Sequence, residues 1–537
     1  MKNGTIFPTR RIGIAVGLMV VSIVISIGGC GTGPPKDDFK IRRIILIVID
    51  TLRGDHLSCA GGPVATPNLD AWAARGVRFS QARSHIPITG PSHSSLFTGL
   101  LPSDHGVLNN TQLLAEGFET LPELARAHGM RTAAFISLGV IKGEFGLDQG
   151  FDSYDERFEY SWYRTADEIS DAAIEWVDTV EDEEPFLLWT HFSDPHEPYA
   201  APGRAYETCR VLVDGEEVAA IEANGQTVSI PMPWVDGRCI VTLDCDADSN
   251  NKSGKLVFSD FRTPGEPCRV TAKTDASRLP RTTPIFIFRS PADFLIEAED
   301  PSSEPVEMRF SLKKHLSHQA ASVEYGHEVE YVDAELGRLM AAIESRGWVD
   351  DSLIILTADH GEELGDHNRL GHIHYLYESS LHVPLVIVAP GHVPAGLVVD
   401  QSVSLIDILP TVAEMVGFSV PEGIRGTSIV PLMRPGGVLP ARPHVALTAR
   451  PEAASDLEAV IVDGWKLIRK RETGQVALFD LGADPGELTD LAPEHPNDVE
   501  RLNSILNEYM AGSIETGAWA ELDDESRARL EALGYVH

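Results

Sequence analysis

Two apolar runs end in residues that could bind a metal ion. The run Ile44–Ile49 is uninterrupted and rich in Ile, as expected of a strand buried on both faces of a parallel sheet. Asp50 follows it, and Asp359 and His360 follow the similar run Leu353–Thr357. Open α/β sheets bind ligands beyond the carboxyl ends of their strands. Either carboxylate alone would be read as a helix cap or turn residue, but together they predict a metal site.

The hydroxyl of Thr89 is a candidate nucleophile, because it lies near the start of a predicted helix. Thr89 comes shortly before Pro91, and Pro fits the first helical position because its missing N–H would be unsatisfied there. A helix N-terminus binds oxyanions and makes a nearby hydroxyl easier to deprotonate. We therefore predict that Thr89 lies just before a helix that begins at Pro91. A capped helix without a catalytic role is the alternative for this segment taken alone.

The elements around these residues predict an α/β catalytic domain interrupted by an insertion. The catalytic domain is expected at 41–205 and 306–435. Between them, residues 206–305 contain short alternating segments at roughly ten-residue spacing, which predicts a small β-sandwich. A small antiparallel subdomain is expected at 436–515 and a tail helix at 516–537.

The N-terminal residues predict a targeting segment and not a part of the folded domain. Lys2, Arg10 and Arg11 precede the apolar stretch Ile12–Ile27, and small residues then lead to Cys30. This order resembles a bacterial lipoprotein signal, with residues 1–30 as signal peptide, Cys30 as the lipidated residue and 31–40 as a tether. We expect an exported lipoprotein, attached to a membrane and facing the periplasm or the outer surface of a bacterium. An uncleaved membrane anchor is the alternative.

Composition restricts the class of protein further. The chain has 537 residues and a formal net charge of −36, which predicts two or more structural units and argues against nucleic-acid binding. An anionic substrate would need local positive charge, which bound metal cations would supply. Four clustered cysteines suggest two disulfides with three possible pairings, or else four buried thiols: Cys209, Cys239, Cys245 and Cys268. The oligomeric state stays open.

Several motifs resemble the sulfatase family of the alkaline phosphatase superfamily. The similarity covers about 41–205 and 312–490, and its most specific segments are Thr66–Phe79, Ser94–Gly99, Asp194–Tyr199 and Leu376–Glu378. The resemblance implies an α/β fold, alkaline-phosphatase-like, with a mixed, mostly parallel sheet flanked by helices. It also implies a metal-dependent hydrolase that acts on an anionic ester.

The site differs from the usual sulfatase at its nucleophile. The family carries a Cys or Ser that becomes formylglycine, with Pro two residues later and Arg four residues later. Thr89, Pro91 and His93 occupy those positions here. Thr cannot become formylglycine, because its methyl group would yield a ketone, but it can attack as an alkoxide. We therefore expect Thr89 and His93 to be catalytic.

The predicted metal ligands also differ from those of the usual sulfatase. Calcium-binding sulfatases have two adjacent Asp after the first strand and an Asp-Asn pair after the later one, whereas this chain has Asp50-Thr51 and Asp359-His360. Imidazole with carboxylates favours Zn²⁺ or Mn²⁺ over Ca²⁺. The resemblance thus predicts one metal site, formed by Asp50, Thr89, Asp359 and His360.

A second ion is possible by the same resemblance. Its ligands would be Asp194, His196 and His374. The competing interpretation makes His196 a direct contact to the substrate oxyanion. His191 is interpreted as a core histidine.

The functional prediction is hydrolysis of sulfuric or phosphoric esters by a Thr nucleophile. Phosphate monoesters, diesters or phosphonates are expected to react faster than sulfate esters. A phosphoethanolamine-type transferase and a catalytically inactive binding lipoprotein are the alternatives.

Overall fold

The structure is a computed structural model that describes part of the chain in full. These parts are 41–158, 163–196, 199, 321–448, 456–511 and 517–520; the elements between 209 and 320 are described by their backbone, apart from a few side chains. The expected signal peptide with Cys30, the tether and most of the expected tail helix lie outside the described residues. Those expectations stay predictions.

The central sheet begins with five strands from the first part of the chain. They are β1 (Arg43–Ile49), β2 (Val77–Arg83), β3 (Arg131–Phe135), β4 (Ser153–Asp155) and β5 (Phe186–Phe192). All seven residues of β1 and all seven of β5 are buried. Continuous burial explains why both strands consist mainly of large apolar residues without alternation.

The inserted segment forms three antiparallel sheets of five, four and three strands. Its strands are β6 (Cys209–Val213), β7 (Glu216–Ile221), β8 (Thr227–Ile230), β9 (Arg238–Cys245), β10 (Leu256–Phe258), β11 (Phe261–Arg262), β12 (Arg269–Ala272), β13 (Ser277–Arg278), β14 (Phe286–Phe288), β15 (Ala292–Glu297), β16 (Val306–Arg309) and β17 (Lys313–Lys314). Strand β16 pairs with β8, and β17 pairs with β10. Strand pairing therefore continues to Lys314, beyond the expected boundary at 305, because both late strands add to sheets of the insertion.

The chain then returns to the central sheet. A short hairpin of β19 (Glu363–Leu364) and β20 (Leu370–Gly371) follows β18 (Ser352–Thr357), and the remaining strands are β21 (His382–Val388), β22 (Leu397–Val399) and β23 (Val403–Ser404). The order is β22-β2-β21-β18-β1-β5-β3-β4, with β23 also beside β2. Only β21 runs antiparallel to its neighbours among the described strands of this sheet. This architecture confirms the expected mixed, mostly parallel sheet.

Helices flank this sheet and connect its strands. The α-helices are α1 (Pro67–Ala73), α2 (Thr89–Thr98), α3 (Pro102–His105), α4 (Leu121–Ala127), α5 (Ala166–Thr179), α6 (His318–Ser345), α7 (Glu378–Leu381), α8 (Ile408–Val416) and α9 (Pro496–Tyr509). Short 3₁₀ helices occupy Ser58–Ala60, Gly139–Ile141, Gly143–Phe145, Val349–Asp351, Asp366–Asn368, Leu405–Asp407 and Val430–Met433. No helix within the described residues combines the length and apolar character needed to cross a membrane.

The C-terminal part contains the expected antiparallel sheet. Its strands are β24 (His444–Leu447), β25 (Leu457–Val462), β26 (Trp465–Lys470) and β27 (Val476–Asp480), paired in sequence order. Lys466 of β26 is fully buried and forms ion pairs with Glu378 at 3.1 Å and Glu487 at 2.8 Å. Glu378 also pairs with Arg83 of β2 at 2.7 Å. Because buried charges need partners, this network ties the small sheet to the central one.

The central strands bring the predicted ligands to one edge of the sheet. Strand β1 lies between β18 and β5 and runs parallel to both. In this register Val48 lies beside Thr357, and Ile49 beside Phe192. The residues that follow each strand, including Asp50 and Asp359, therefore leave the sheet at the same edge.

Candidate active site

Thr89 is the first residue of α2, and not the residue before the helix. Ile88 is the N-cap, and the backbone N–H of Ser92 donates to its carbonyl over 3.0 Å. Pro91 therefore occupies the third helical position instead of the first. A Pro is tolerated there because the first four N–H groups of a helix have no acceptor within it. The Gly90 N–H instead donates to Asn110 Oδ1 over 2.7 Å.

The carboxylates of Asp50 and Asp359 form a buried pair. Both side chains are fully buried, and both oxygens of Asp50 lack a hydrogen-bond donor among the described residues, as does Oδ2 of Asp359. Burial and the charge of Asp359 raise the pKa of Asp50 well above its ordinary value. Burial also raises the pKa of Asp359, but nearby imidazoles, His360 first, outweigh this and bring that pKa below its ordinary value.

The acceptor nitrogen of His360 faces the carboxylates of Asp50 and Asp359. His360 Nδ1 donates to the carbonyl of Gly361 over 3.0 Å, which leaves Nε2 as the acceptor nitrogen. Nε2 lies 3.4 Å from Thr89 Oγ1, 3.6 Å from Asp50 Oδ1 and 3.4 Å from Asp359 Oδ2. Burial lowers the pKa of His360, so the ring is neutral at pH 7.

The structure thus brings together the four residues expected at the first metal site. Ligand atoms of Asp50, Asp359 and His360 all lie within 4.8 Å of one another, and Thr89 Oγ1 is adjacent. Unsatisfied buried carboxylate oxygens are costly unless they bind a cation or a donor. A divalent cation would satisfy both carboxylates and the imidazole, so these residues fit a metal ion.

A strained backbone supports this arrangement. Thr51 has a φ of 59°, which is uncommon for a β-branched residue. In this conformation its N–H donates to Asp359 Oδ1 over 3.3 Å. Its carbonyl accepts a 2.9 Å hydrogen bond from the Tyr325 hydroxyl, which also accepts from Arg53 N at 2.9 Å. Tyr325 of α6 therefore holds the loop after β1 in place.

His93 lies one helical turn along α2 from Thr89. It is fully buried, and its Nδ1 donates to the carbonyl of Thr89 over 2.9 Å. The same nitrogen lies 3.8 Å from Asp359 Oδ2. His93 therefore contacts the backbone of Thr89 and lies beside the carboxylate of Asp359.

The ligand set expected for a second ion is not brought together. Asp194 accepts a 3.2 Å hydrogen bond from Ala166 N at the start of α5, and burial raises the pKa of Asp194 to about 8. His374 is exposed and lies beside Tyr375, whereas His196 packs edge-on against His372. Within the described residues, no group suited to a metal ion includes Asp194, His196 or His374. The turn after β5 directs Asp194 toward α5 instead.

Three further residues at the site were not expected from the sequence. His372, two residues before His374, places its ring 4.5 Å from that of His360. His191 of β5 places its Nε2 4.0 Å from Asp50 Oδ2. Asn110, in the loop after α3, bonds the N-terminus of α2, while its Nδ2 lacks a partner among the described residues. The only sequence signal was a His inside an otherwise apolar strand, at residue 191.

Comparison with known proteins places this geometry in a family. A family model described as Sulfatase matches residues 42–418. The chain belongs to the sulfatase family. A second family model, N-sulphoglucosamine sulphohydrolase, C-terminal, matches residues 365–512 and so covers the antiparallel sheet. Sulfatases are metal-dependent ester hydrolases, and this chain is an ester hydrolase of that family.

Individual sulfatases align along most of the chain. N-acetylglucosamine-6-O-sulfatase of Bacteroides thetaiotaomicron is 24% identical over 529 residues, covering 91% of this chain and 90% of the relative. Choline-sulfatase of Rhizobium meliloti is 24% identical over 540 residues, with coverage of 91% and 90%. Human arylsulfatase K is 24% identical over 510 residues, with coverage of 87% and 83%.

Solved structures confirm the expected fold. A phosphonate monoester hydrolase of Agrobacterium radiobacter aligns with a TM-score of 0.59 and 21% identity, covering 88% of this chain and 95% of that one. A putative sulfatase from Bacteroides thetaiotaomicron aligns with a TM-score of 0.60 and 18% identity, covering 88% and 92%. At these identities the likeness extends to the fold and not to the substrate.

Proposed function

We propose that this sulfatase-family enzyme uses Thr89 as its nucleophile and cleaves phosphate esters or phosphonate monoesters faster than sulfate esters. The observation that carries the proposal is the position of Thr89 Oγ1. It lies at the N-terminus of α2, 3.4 Å from His360 Nε2, and the same nitrogen lies 3.6 Å from Asp50 Oδ1 and 3.4 Å from Asp359 Oδ2. A hydroxyl so placed combines the positive end of a helix with a cation-binding cluster.

Asp50, Thr89, Asp359 and His360 would hold one divalent cation. When bound, the cation would lower the pKa of the Thr89 hydroxyl and stabilise negative charge on the reacting ester. An imidazole among carboxylates supports Zn²⁺ or Mn²⁺ over Ca²⁺, which prefers six to eight oxygen ligands. The buried, neutral state of His360 is the state in which imidazole binds a metal.

The reaction is a double displacement at phosphorus. Thr89 Oγ1 forms a bond to phosphorus as the bond to the ester oxygen breaks, the hydroxyl proton passes to water, and the departing alcohol gains a proton. Water then attacks the Thr89 ester, the Oγ1–phosphorus bond breaks, and Thr89 recovers its proton. His93 holds the Thr89 carbonyl, while His196 is the candidate contact to the substrate oxyanion.

The phosphoester preference follows from the missing formylglycine. A formylglycine hydrate releases sulfate by elimination, without attack on the bound sulfur. Thr89 has no such route, so its ester must be cleaved by displacement at the central atom. Phosphoryl groups can carry more negative charge than sulfate, and a cation stabilises them more strongly. The solved structure named phosphonate monoester hydrolase shares the fold, and the sequence relatives are named sulfatases, so the preference for phosphorus rests on Thr89.

Two other functions make different predictions. A phosphoethanolamine-type transferase would form the same Thr89 ester but pass the group to a second alcohol instead of water. A binding lipoprotein without activity would show no turnover. The intact set of Asp50, Thr89, Asp359 and His360 favours an active enzyme, because drift would be expected to break it.

A matched substrate panel tests the proposal. Four substrates are used: nitrophenyl sulfate, nitrophenyl phosphate, bis(nitrophenyl) phosphate and nitrophenyl phenylphosphonate. The rate of hydrolysis of each is measured with wild type, Thr89→Ala and Thr89→Ser. We expect a phosphorus substrate to react fastest, turnover to be lost in Thr89→Ala, and part of it to remain in Thr89→Ser. Thr98→Ala, at the other end of the same helix, is the control and should stay active. A preference for aryl sulfate, or turnover by Thr89→Ala, would overturn the proposal.

A further inference from the structure

We propose that the protein binds a second divalent cation of the Zn²⁺ or Mn²⁺ type at His93, His191 and Asp359. This ion would lie beside the first, with the carboxylates of Asp50 and Asp359 between the two. The proposal rests on the proposed function only in assuming that the first cluster is a metal site. It assigns to His191 a role that the sequence did not suggest.

The three ligands converge from three different elements. His93 comes from α2, His191 from β5, and Asp359 from the end of β18. One ligand atom from each lies within 4.8 Å of the other two, and all three side chains are fully buried. Two imidazoles and a carboxylate within this distance are a donor set that suits Zn²⁺ or Mn²⁺.

Hydrogen bonds orient both histidines. His191 Nδ1 is hydrogen-bonded to Ser137 Oγ at 2.8 Å, while its Nε2, which lies 4.0 Å from Asp50 Oδ2, lacks a hydrogen-bond partner among the described residues. Metal-binding histidines are usually oriented in this way, through a hydrogen bond at the nitrogen that does not bind the metal. His93 Nδ1 donates to the Thr89 carbonyl and is also the nitrogen nearer Asp359, while its Nε2 lacks a hydrogen-bond partner among the described residues.

The carboxylates face both clusters. Asp50 Oδ1 is 3.6 Å from His360 Nε2, whereas Asp50 Oδ2 is 4.0 Å from His191 Nε2. Asp359 Oδ2 is 3.4 Å from His360 Nε2 and 3.8 Å from His93 Nδ1. Carboxylates placed between two groups of histidines are suited to a two-metal site, in which the ions lie about 3.5–4 Å apart.

The buried polar atoms of this region favour more than one cation. Both carboxylate oxygens of Asp50, Oδ2 of Asp359, and Nε2 of His93 and of His191 lack a hydrogen-bond partner among the described residues. Leaving a buried polar atom without a partner is unfavourable, and more so when the group is charged.

Manganese titration tests the second site without relying on turnover. The mature protein is freed of metal with a chelator and titrated with Mn²⁺ alone, and bound Mn²⁺ is counted by elemental analysis. Electron paramagnetic resonance reports whether the ions are spin-coupled. We expect two equivalents and a coupled signal for wild type, but one equivalent and an uncoupled signal for both His191→Gln and His360→Gln. His105→Gln is the control, because His105 is buried and bound to Ser95 but lies outside both clusters.

The outcomes separate this inference from the proposed function. The second site would be overturned if wild type bound one equivalent of Mn²⁺ that was lost in His360→Gln and unchanged in His191→Gln. That result would leave the first site intact. No bound Mn²⁺ or Zn²⁺ in wild type would contradict both. Thermal unfolding checks that each variant is folded, and His93→Gln replaces His191→Gln if the latter is not.

Discussion

The hydroxyl oxygen of Thr89 lies 3.4 Å from Nε2 of His360, although 271 residues separate them in the chain. One residue begins α2, and the other follows β18 at the carboxyl edge of the sheet. The Ser92 hydroxyl, which donates to the Asp359 carbonyl over 2.7 Å, ties the helix to that edge. Thr89 and the candidate metal ligands are therefore positioned by the same contact between helix and sheet.

We expect the choice of metal ion to depend on His360. We predict that purified wild type contains Zn²⁺ or Mn²⁺, and that His360→Asn, which restores the Asp-Asn pair of calcium-binding sulfatases, binds those metals at least about tenfold more weakly. Elemental analysis and metal titration measure the change. His105→Asn should retain wild-type affinity. Stoichiometric calcium without a transition metal in wild type would contradict the prediction.

Acid should destabilise the protein through His85. This side chain is fully buried and stacked on His444, with 4.4 Å between ring centroids, and burial lowers the pKa of His85 to about 4. The unfolded chain, with a His pKa of about 6.5, takes up the proton first as pH falls. Above about pH 6.5 His85 is neutral in both states and does not lower the free energy of unfolding. Between about pH 6.5 and pH 4 the free energy of unfolding falls as the unfolded chain binds the proton.

The variant His85→Gln should flatten this dependence. Between pH 7 and pH 5 its free energy of unfolding should fall by about 2 kcal/mol less than that of wild type. Denaturant unfolding at the two pH values measures the difference. His128→Gln serves as control, because His128 is exposed. An equal pH dependence in His85→Gln and wild type would show that His85 titrates normally.

Cys30 is the predicted site of lipid attachment. We predict that Cys30→Ala yields an unprocessed precursor without acyl label, because the charged, apolar and small-residue regions precede this residue in the order of a lipoprotein signal. Acyl labelling of cells that express the protein measures whether lipid is attached. Cys59→Ala changes a half-buried free thiol elsewhere and should be labelled normally. Undiminished labelling of Cys30→Ala would refute the assignment.

Two disulfides are predicted in the insertion, and strand register now favours one pairing. Cys209 of β6 lies opposite Cys245 of β9. Directly opposed residues in antiparallel strands lie within the Cα separation that a disulfide spans. Peptide mapping without reductant should therefore recover Cys209 joined to Cys245, and Cys239 joined to Cys268. Four free thiols in the exported protein would end this prediction.

Much of the fold could be predicted because its signals are local. Continuous apolar runs identified β1 and β18, and the residues following these strands supplied Asp50, Asp359 and His360. The start of α2 was misplaced by two residues, because Pro is tolerated throughout the first helical turn and not only at its first position.

The second cluster could not be predicted, because it depends on side-chain direction. Asp194 and His191 lie three residues apart at the end of β5, yet the first faces α5 and the second faces Asp50. Likewise, His372 approaches His360, while His374 is exposed. The turn after a strand decides such directions, and no residue pattern in the sequence specified it.

The stereochemical course at phosphorus tests the role of Thr89 most directly. A phosphate diester made chiral with two oxygen isotopes is hydrolysed by the wild-type enzyme in water enriched in the third isotope, and the configuration of the monoester product is determined. Two successive in-line displacements, through the Thr89 ester, predict overall retention. Inversion would mean that water attacks the substrate in a single step, and would contradict nucleophilic attack by Thr89.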